Sequence, residues 1–150
     1  MRDLKKLVAL IVTIAIMATL AIPAFAAPAD VVGTEYEGAV SRLVALGVIT
    51  GDPDGSFRPN GDITRAEFAA VVVRALGLQE VADYAKGVTK FSDVPANHWA
   101  AGYINVASAQ GIINGYGDGK FGPNDKVLFE QAVAMIVRAQ IGRASCRERV

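Results

Sequence analysis

The sequence predicts an all-α protein made of two tandem helix–loop–helix modules, and three observations support this fold class. Residues 47–76 align with residues 111–140 without a gap, with 12 identities in 30 positions. Within and before each copy, apolar residues recur at the three- and four-residue spacing of amphipathic helices. The helical stretches are separated by short segments rich in glycine, aspartate and proline, which favour turns. One helical hairpin of this size cannot bury its apolar face alone, so the two copies are expected to pack together.

The first element of each module is predicted to be a short helix. In the first module the helical spacing is carried by Ala39, Val40, Leu43, Val44 and Leu46. Gly47 follows, at the position where a helix commonly ends in the left-handed conformation. In the second module the matching helix is predicted over residues 99–110, with Gly111 after it. The apolar stripe of this helix consists of Trp99, Tyr103, Ile104 and Ala107.

A turn-rich loop follows the first helix of each module. Residues 52–55 are Asp-Pro-Asp-Gly and residues 116–119 are Tyr-Gly-Asp-Gly. A glycine after an aspartate suits a tight turn with positive φ. Phe57 and Phe121 come next, and we expect both rings to turn into the core. The proline two residues after each phenylalanine ends any regular strand.

The second helix of the first module has a clear predicted start. Thr64 and Glu67 form a capping box, in which the threonine oxygen accepts a backbone N–H and the glutamate reaches back to the N-cap. The apolar face consists of Phe68, Val71, Val72, Ala75 and Leu76. Gly77 ends the helix. In the second module Leu128 replaces the capping threonine, which removes about 1 kcal/mol of stabilisation. The helical pattern there continues through Glu130, Gln131, Ala134, Ile136 and Val137.

Residues 1–26 are typical of a secretory signal peptide. A basic start precedes an apolar run over residues 7–22, and Ala24-Phe25-Ala26 forms an A-x-A cleavage site. We expect cleavage after Ala26 and export of the chain. The alternative is an uncleaved membrane anchor, but the apolar run is shorter than the roughly 20 residues that a spanning helix needs.

The last ten residues, 141–150, break the apolar pattern where the second module should end. They contain three arginines and Cys146, the only cysteine of the chain. This string resembles translated sequencing-adaptor read-through, so we predict that it is a non-native tail and that the natural chain continues. The alternative is a native basic tail with a free thiol.

The charge balance excludes some classes of function. Three basic residues and one acidic residue fall in each end segment, out of 15 and 15 in the whole chain. Residues 27–140 therefore carry 9 basic and 13 acidic residues, a net charge of −4. This argues against a nucleic-acid-binding surface. The same residues contain no cysteine, which excludes a disulfide framework and a thiolate metal site.

Several separated motifs then form a known pattern. Phe91-Ser92-Asp93-Val94-Pro95, His98-Trp99-Ala100 and the glycine-rich loop 111–124 follow one another in the second module. In the first module, residues 63–68 are Ile-Thr-Arg-Ala-Glu-Phe, and Asp30 to Thr34 with Tyr36-Glu37 is a variant of the module start. The chain resembles the S-layer homology (SLH) domain family over about residues 28–77 and 91–140. We expect SLH modules at 27–77 and 91–140, joined by a connector at 78–90 that has weak helical periodicity.

The resemblance implies both a fold and a task. SLH modules are helix–loop–helix units, three of which usually assemble into a pseudo-threefold bundle. A third module or other SLH chains are therefore expected partners. Members of the family hold exported proteins non-covalently on the bacterial envelope, in many Gram-positive species through a pyruvylated secondary cell-wall polysaccharide, so a non-catalytic anchor is expected. This implies a surface location without stable membrane insertion after signal cleavage, no nucleic-acid partner and no cofactor or metal. Two alternatives are a self-assembling S-layer subunit and the anchor fragment of a larger surface enzyme.

The resemblance also implies a set of ligand-binding residues. They are Arg65, Glu67, Asp93, Trp99, Gly115, Gly117 and Asp118. Elementary physics supports Arg65 separately, because it lies in the first helical turn, where free N–H groups and a guanidinium would face one volume. A guanidinium binds a carboxylate in a bidentate manner. The second module has Phe129 in place of this arginine, so an equivalent second anion site is not expected there.

Each of these residues also has a structural interpretation. Arg65 could pair with a nearby acid, Trp99 could anchor the core, and Asp93 could cap the following helix. If they are functional, Trp99 and Asp93 are expected to complete one groove with Arg65 of the neighbouring module.

Three catalytic or metal-binding chemistries have weaker support. Asp52-x-Asp54-Gly55 resembles the start of a calcium loop, but the rest of the twelve-residue ligand pattern is absent. His98 is the only histidine, and it has no partners for a triad or a zinc site. Carboxylates are plentiful and their spacing alone does not exclude a glycosidase pair, but nothing in the sequence marks one.

Overall fold

A computed structural model describes residues 27–147, with side chains to residue 142. The predicted signal peptide lies outside these residues. Five α-helices occur in the described part: α1 (Glu37–Ala45), α2 (Arg65–Ala75), α3 (Gln79–Tyr84), α4 (Ala101–Ala109) and α5 (Phe129–Arg147). The same residues contain no strand, only an isolated antiparallel bridge between Thr64 and Lys126. The predicted all-α class is confirmed.

The first helices of the two modules end where the sequence predicts. Gly47 and Gly111 follow them with φ of 67° and 69°, the left-handed conformation that glycine adopts without steric cost. The predicted start of α4 at Trp99 is two residues too early. His98 Nδ1 accepts a hydrogen bond of 3.1 Å from the backbone N–H of Ala100, which keeps this segment in a turn until Ala101.

The capping box at the start of α2 is present as predicted. Thr64 Oγ1 accepts the backbone N–H of Glu67 at 3.2 Å, and the Glu67 carboxylate accepts the N–H of Thr64 at 2.7 Å. The second module keeps half of this arrangement, because the Leu128 N–H donates to Gln131 Oε1 at 3.3 Å. The loss of the threonine therefore leaves one of the two capping bonds in place.

Helix α5 is much longer than α2. Gly77 has a positive φ of 73° and ends α2, whereas Ile141 stands at the matching position of the second module. Without a glycine there, the helix continues to Arg147 and includes part of the segment predicted to be non-native. The origin of residues 141–150 stays a prediction.

The main core is built by the second module together with α2 of the first and α3. Helix α2 of the first module packs against α4 and α5 of the second, and α3 packs against α4. A Cβ atom on Gly102 of α4 would overlap the carbonyl of Ala82 in α3, so this glycine permits the close approach of the two helices. Phe121 lies at the centre of this core and is fully buried, with its ring 5.4 Å from that of Phe91.

A second, smaller cluster holds the first module together. Its buried members are Val31, Val40 and Ile49. Phe57, the counterpart of Phe121, packs against this cluster and is only half-buried. The predicted inward orientation is therefore confirmed for both phenylalanines, but their burial is unequal.

Among residues 27–147, none of the helices is long and apolar enough to cross a membrane.

Candidate functional site: two repeat-related cavities

In each module, an aspartate near the beginning of the module accepts hydrogen bonds from the backbone of the glycine-rich loop. The two carboxylate oxygens of Asp93 accept the backbone N–H groups of Phe121, at 2.8 Å, and Gly122, at 2.7 Å. Asp30 does the same for Phe57, at 3.0 Å, and for the next residue, at 2.6 Å. The alternative role of Asp93 as a helix cap is wrong, because α4 begins only at Ala101 and has no side-chain cap.

These hydrogen bonds shift the acidity of Asp93. Burial by itself raises the pKa of a carboxyl group, but the backbone N–H groups of Phe121 and Gly122 stabilise the ionised form. The net effect holds the pKa of Asp93 below its ordinary value. A lowered folded-state pKa contributes stability that is present above the unfolded-state pKa, near 3.9, and is lost as pH falls through the folded value.

The Asp93→Asn variant is expected to lose stability by about 1–2 kcal/mol at pH 7, because a neutral amide replaces a charge-assisted acceptor of two N–H groups. The difference from wild type should shrink as pH falls from 5 towards 2, where wild-type Asp93 is also protonated. Urea denaturation at several pH values measures both effects. Asp118→Asn is the control, since asparagine supports the same turn. A difference that is constant across the pH range would contradict the account.

Two cavities lie next to the glycine-rich loops. The larger, which we call the Trp99 groove, has a volume of about 590 Å³, and its lining includes Gly51, Asp52, Glu67, Ala70, Arg74 and Trp99. The smaller, the Arg65 cavity, has a volume of about 250 Å³, and its lining includes Arg65, Gly115, Tyr116, Gln131, Ala134 and Arg138.

The two cavities are related by the repeat. Residues 51, 52, 67, 70 and 74 line the first, and the residues 64 positions later line the second. Each cavity thus lies between the glycine-rich loop and the second helix of one module. The remaining wall differs: Trp99 reaches the first cavity from the following module, whereas Arg65 reaches the second from the preceding one.

Arg65 is buried and bound to the second module. Its exposed fraction is 3%. Its Nε donates to the carbonyl of Phe121 at 2.8 Å, and its terminal nitrogens donate to the Asn114 carbonyl at 3.1 Å and to Gln131 Oε1 at 3.0 Å. The guanidinium carbon lies 4.6 Å and 4.8 Å from the ring centres of Tyr116 and Phe121.

None of these partners is acidic, so the interpretation of Arg65 as one half of an ion pair is wrong. A guanidinium has five N–H donors. The three hydrogen bonds leave two donors for another acceptor beside the cavity.

The expected free backbone N–H groups at the start of α2 are occupied. The N–H of Arg65 donates to the Asp125 carbonyl at 2.8 Å, and that of Ala66 to the Pro123 carbonyl at 3.1 Å. The N–H groups of Thr64 and Glu67 are used in the capping box. The expectation was wrong because the loop of the second module packs directly against this helix end. An anion there would be bound by the Arg65 guanidinium and not by free N–H groups of the helix.

Trp99 is 53% exposed, so its interpretation as a core anchor is wrong. Its ring stacks on His98, with 5.9 Å between centres, and lies 6.2 Å from Tyr103. Arg74 continues this row, with its guanidinium carbon 4.9 Å from the Tyr103 ring centre and a hydrogen bond of 3.0 Å to the phenol oxygen. The row places an aromatic face and a guanidinium on the wall of one groove.

Arg74 and Arg138 were missed as site residues. The available signal was their identity in the repeat alignment, at a helix position that capping and apolar periodicity do not explain. Both line their respective cavities.

The predicted site residues do not form a single groove. Arg65 and Gly115 line the Arg65 cavity, and Glu67 and Trp99 line the Trp99 groove. Asp93 lines neither, and the same holds for Gly117 and Asp118. The Asp118 carboxylate accepts the N–H of Lys120 at 3.0 Å and so stabilises the turn. A Cβ on Gly115 would lie 2.7 Å from the Phe91 ring, which explains the need for glycine there.

The charges of the two cavities differ. The charged residues that line the Arg65 cavity are Arg65, Arg138 and Glu130, which gives a net charge of +1. Those that line the Trp99 groove are Asp52, Asp62, Glu67, Arg58 and Arg74, which gives −1. The Arg65 cavity is therefore the better site for an anion. Within residues 27–147, no cluster of three or more histidine, cysteine, aspartate or glutamate side chains could hold a metal ion.

Comparison with known proteins relates both modules to one family. The sequence matches the S-layer homology domain over residues 29–69 and 90–133. It is 39% identical over 144 residues to a cell surface protein of Thermoanaerobacter kivui, which covers 93% of this chain and 19% of that protein. It is 41% identical over 140 residues to a surface layer protein of Brevibacillus choshinensis, and the match covers 91% of this chain and 12% of that protein.

A cellulosome-anchoring protein of Acetivibrio thermocellus is 35% identical over 102 residues, and the match covers 67% of this chain and 23% of that protein. The chain therefore spans less than a quarter of the length of each of these relatives.

Proposed function

Because this chain belongs to the S-layer homology domain family, we propose that its two modules hold it on the bacterial cell surface by binding an anionic, pyruvylated secondary cell-wall polysaccharide. The modules act as a non-catalytic anchor. The relatives named above include surface-layer and anchoring proteins, which supports a location on the cell wall.

The buried guanidinium of Arg65 is the observation that carries this proposal. A buried charge is costly unless it is compensated, and the partners of Arg65 are carbonyl oxygens and aromatic rings. A carboxylate in the adjoining cavity would supply the missing negative charge. Arg138 lines the same cavity and would bind the second side of that carboxylate.

The Trp99 groove fits the neutral part of the polymer. An exposed indole offers a flat apolar face on which a sugar ring can stack. Arg74 and Glu67 lie on the same wall and can hydrogen-bond ring hydroxyls, although Glu67 also serves the capping box. Asp93, Gly117 and Asp118 act indirectly in this proposal, because they fix the loop that carries Gly115.

The two exposed wall residues give the cleanest binding test. Trp99→Ala and Arg138→Gln are each expected to weaken binding of purified cell-wall polysaccharide by about tenfold, equivalent to roughly 1.4 kcal/mol. Both side chains are largely outside the core, so thermal unfolding should change little. Co-sedimentation of the exported protein with cell-wall fragments measures the binding.

Lys86→Ala is the matched control, since it removes a surface charge that pairs with Asp83 and lines neither cavity. It should bind like wild type. Wild-type retention by both variants would contradict the assigned roles of Trp99 and Arg138. Failure of the wild-type protein to bind would contradict the anchoring function itself.

A further inference from the structure

Arg58 has a backbone conformation that glycine adopts at little cost and other residues rarely adopt. Its φ is 53°, and it is the only non-glycine residue with a positive φ in the part of the chain that the structure describes. The matching residue of the second module is Gly122, with a φ of 69°. The loop therefore requires the left-handed conformation at this position, where an arginine adds steric strain that a glycine would not.

The neighbours of this position explain why the second module carries no side chain there. A Cβ on Gly122 would overlap the carboxylate of Asp125 and lie 2.6 Å from the ring of Tyr116. These two neighbours are joined by a hydrogen bond, in which the Tyr116 hydroxyl donates to Asp125 Oδ2 at 2.9 Å. In the first module their counterparts are Gly61 and Asp52. The exchange of these residues makes room for a side chain at the left-handed position.

Arg58 uses this room to form an ion pair with Asp52. Its Nε and Nη2 donate to the two carboxylate oxygens, the second at 3.0 Å. The pair lies at the surface, with 55% of the Arg58 side chain and 25% of the Asp52 side chain exposed. Exposed ion pairs contribute little stability, and the left-handed backbone of a non-glycine residue costs at least as much. Stability therefore does not account for the arginine, and strain that is retained in this way indicates a function.

Both members of the pair line the Trp99 groove. The hydrogen-bonded carboxylate of Asp52 raises the pKa of Arg58, and the carboxylate of Glu67, which lines the same groove, raises it further. Asp52 occupies only one edge of the guanidinium, since Nη1 of Arg58 has no hydrogen-bond partner within residues 27–142. The pair thus offers free N–H donors beside carboxylate acceptors, in the same groove as the exposed ring of Trp99.

We propose that Arg58 and Asp52 are specificity-determining residues of the Trp99 groove, and that they bind the hydroxyl groups of an uncharged sugar ring stacked on Trp99. A sugar hydroxyl can accept a hydrogen bond from the guanidinium and donate one to the carboxylate. The ion pair also fixes the arginine side chain before binding, which lowers the entropy cost of ordering it. This inference rests on the proposed polysaccharide binding and names the groups that recognise the neutral part of the polymer.

The Arg58→Gly variant separates binding from stability. It removes the guanidinium and relieves the backbone strain, so it is expected to be at least as stable as wild type in urea denaturation. Its affinity should fall about tenfold, the effect of losing a hydrogen bond to a charged group. Calorimetric titration should give the same fold-change for native polysaccharide and for polymer from which mild acid has removed the pyruvyl groups, because the contact is with an uncharged ring.

Lys86→Ala is the control, because it removes an exposed ion pair that lines neither cavity, and it should bind like wild type. A triple variant tests the exchange of residues between the loops. Asp52→Tyr, Arg58→Gly and Gly61→Asp together give the first loop the residues of the second, which are compatible with one another there. This variant should stay folded by circular dichroism and bind at least as weakly as Arg58→Gly.

Wild-type affinity of the Arg58→Gly variant for both polymers would overturn the proposal. A loss of affinity confined to the pyruvylated polymer would also overturn it, because Arg58 would then bind a carboxylate. In both of these cases the wild-type protein still binds, so the proposed function stands. Failure of the wild-type protein to bind either polymer would contradict the proposed function and this inference with it.

Discussion

Replacement of Arg65 by alanine is expected to reduce both stability and polysaccharide binding. The variant loses three hydrogen bonds from a charged donor and the contacts with two aromatic rings. It also leaves the buried carbonyl of Phe121 without this donor. Removing a buried charged hydrogen-bonding partner costs about 3 kcal/mol or more. Because Arg65 joins α2 to the second module, the loss should appear as weaker docking of the two modules.

The Arg65→Lys variant separates the contribution of the positive charge from that of the guanidinium geometry. Lysine keeps the positive charge but lacks the planar fork that reaches three acceptors. We expect partial binding with a stability loss close to that of alanine. Urea denaturation gives the stability, and polysaccharide binding is measured well below the unfolding transition. An alanine variant with wild-type stability would contradict the role of Arg65 in joining the two modules. An alanine variant that is folded and binds the polysaccharide normally would contradict the anion site.

Phe121→Ala is expected to be the most destabilising substitution in the core, by about 3–5 kcal/mol. Phe121 is fully buried, its ring contacts that of Phe91, and its carbonyl binds Arg65. Phe57→Ala is a matched control within the same chain, because Phe57 has the same place in the repeat but is only half-buried against a small cluster.

The Phe57 variant should lose clearly less stability than the Phe121 variant. Equal losses in urea denaturation would show that the two modules have equivalent cores, contrary to the packing described above. The comparison therefore tests whether the main core is the one built by the second module with α2 and α3.

Much of the local structure follows from the sequence. The glycines at 47 and 111 end the first helices, and Thr64 and Glu67 form the capping box, because these interactions involve residues close together in the chain. The length of α5 is also explained locally, by the absence of a helix-ending glycine at position 141. In each case the interaction joins residues within one helix or at its end.

The site was harder to predict because it depends on contacts between modules. Arg65 was recognised, but its partners lie 49 to 66 residues away in the second module, and sequence spacing does not show which carbonyls meet it. Trp99 and Arg65 were expected in one groove, but they line two different cavities that are related by the repeat. Arg74 and Arg138 were marked only by their identity in the two copies of the repeat. Two copies of a helix can share a residue for structural reasons alone, so this identity did not indicate a site.

The central claim is that the protein binds a carboxylate of a cell-wall polysaccharide, and calorimetric titration tests it most directly. The exported protein is titrated with purified polysaccharide and with the same polymer after mild acid has removed its pyruvyl groups. Native polymer should bind, and removal of the carboxylates should weaken binding by at least about tenfold, equivalent to roughly 1.4 kcal/mol. Equal affinity for the two polymers would contradict the claim.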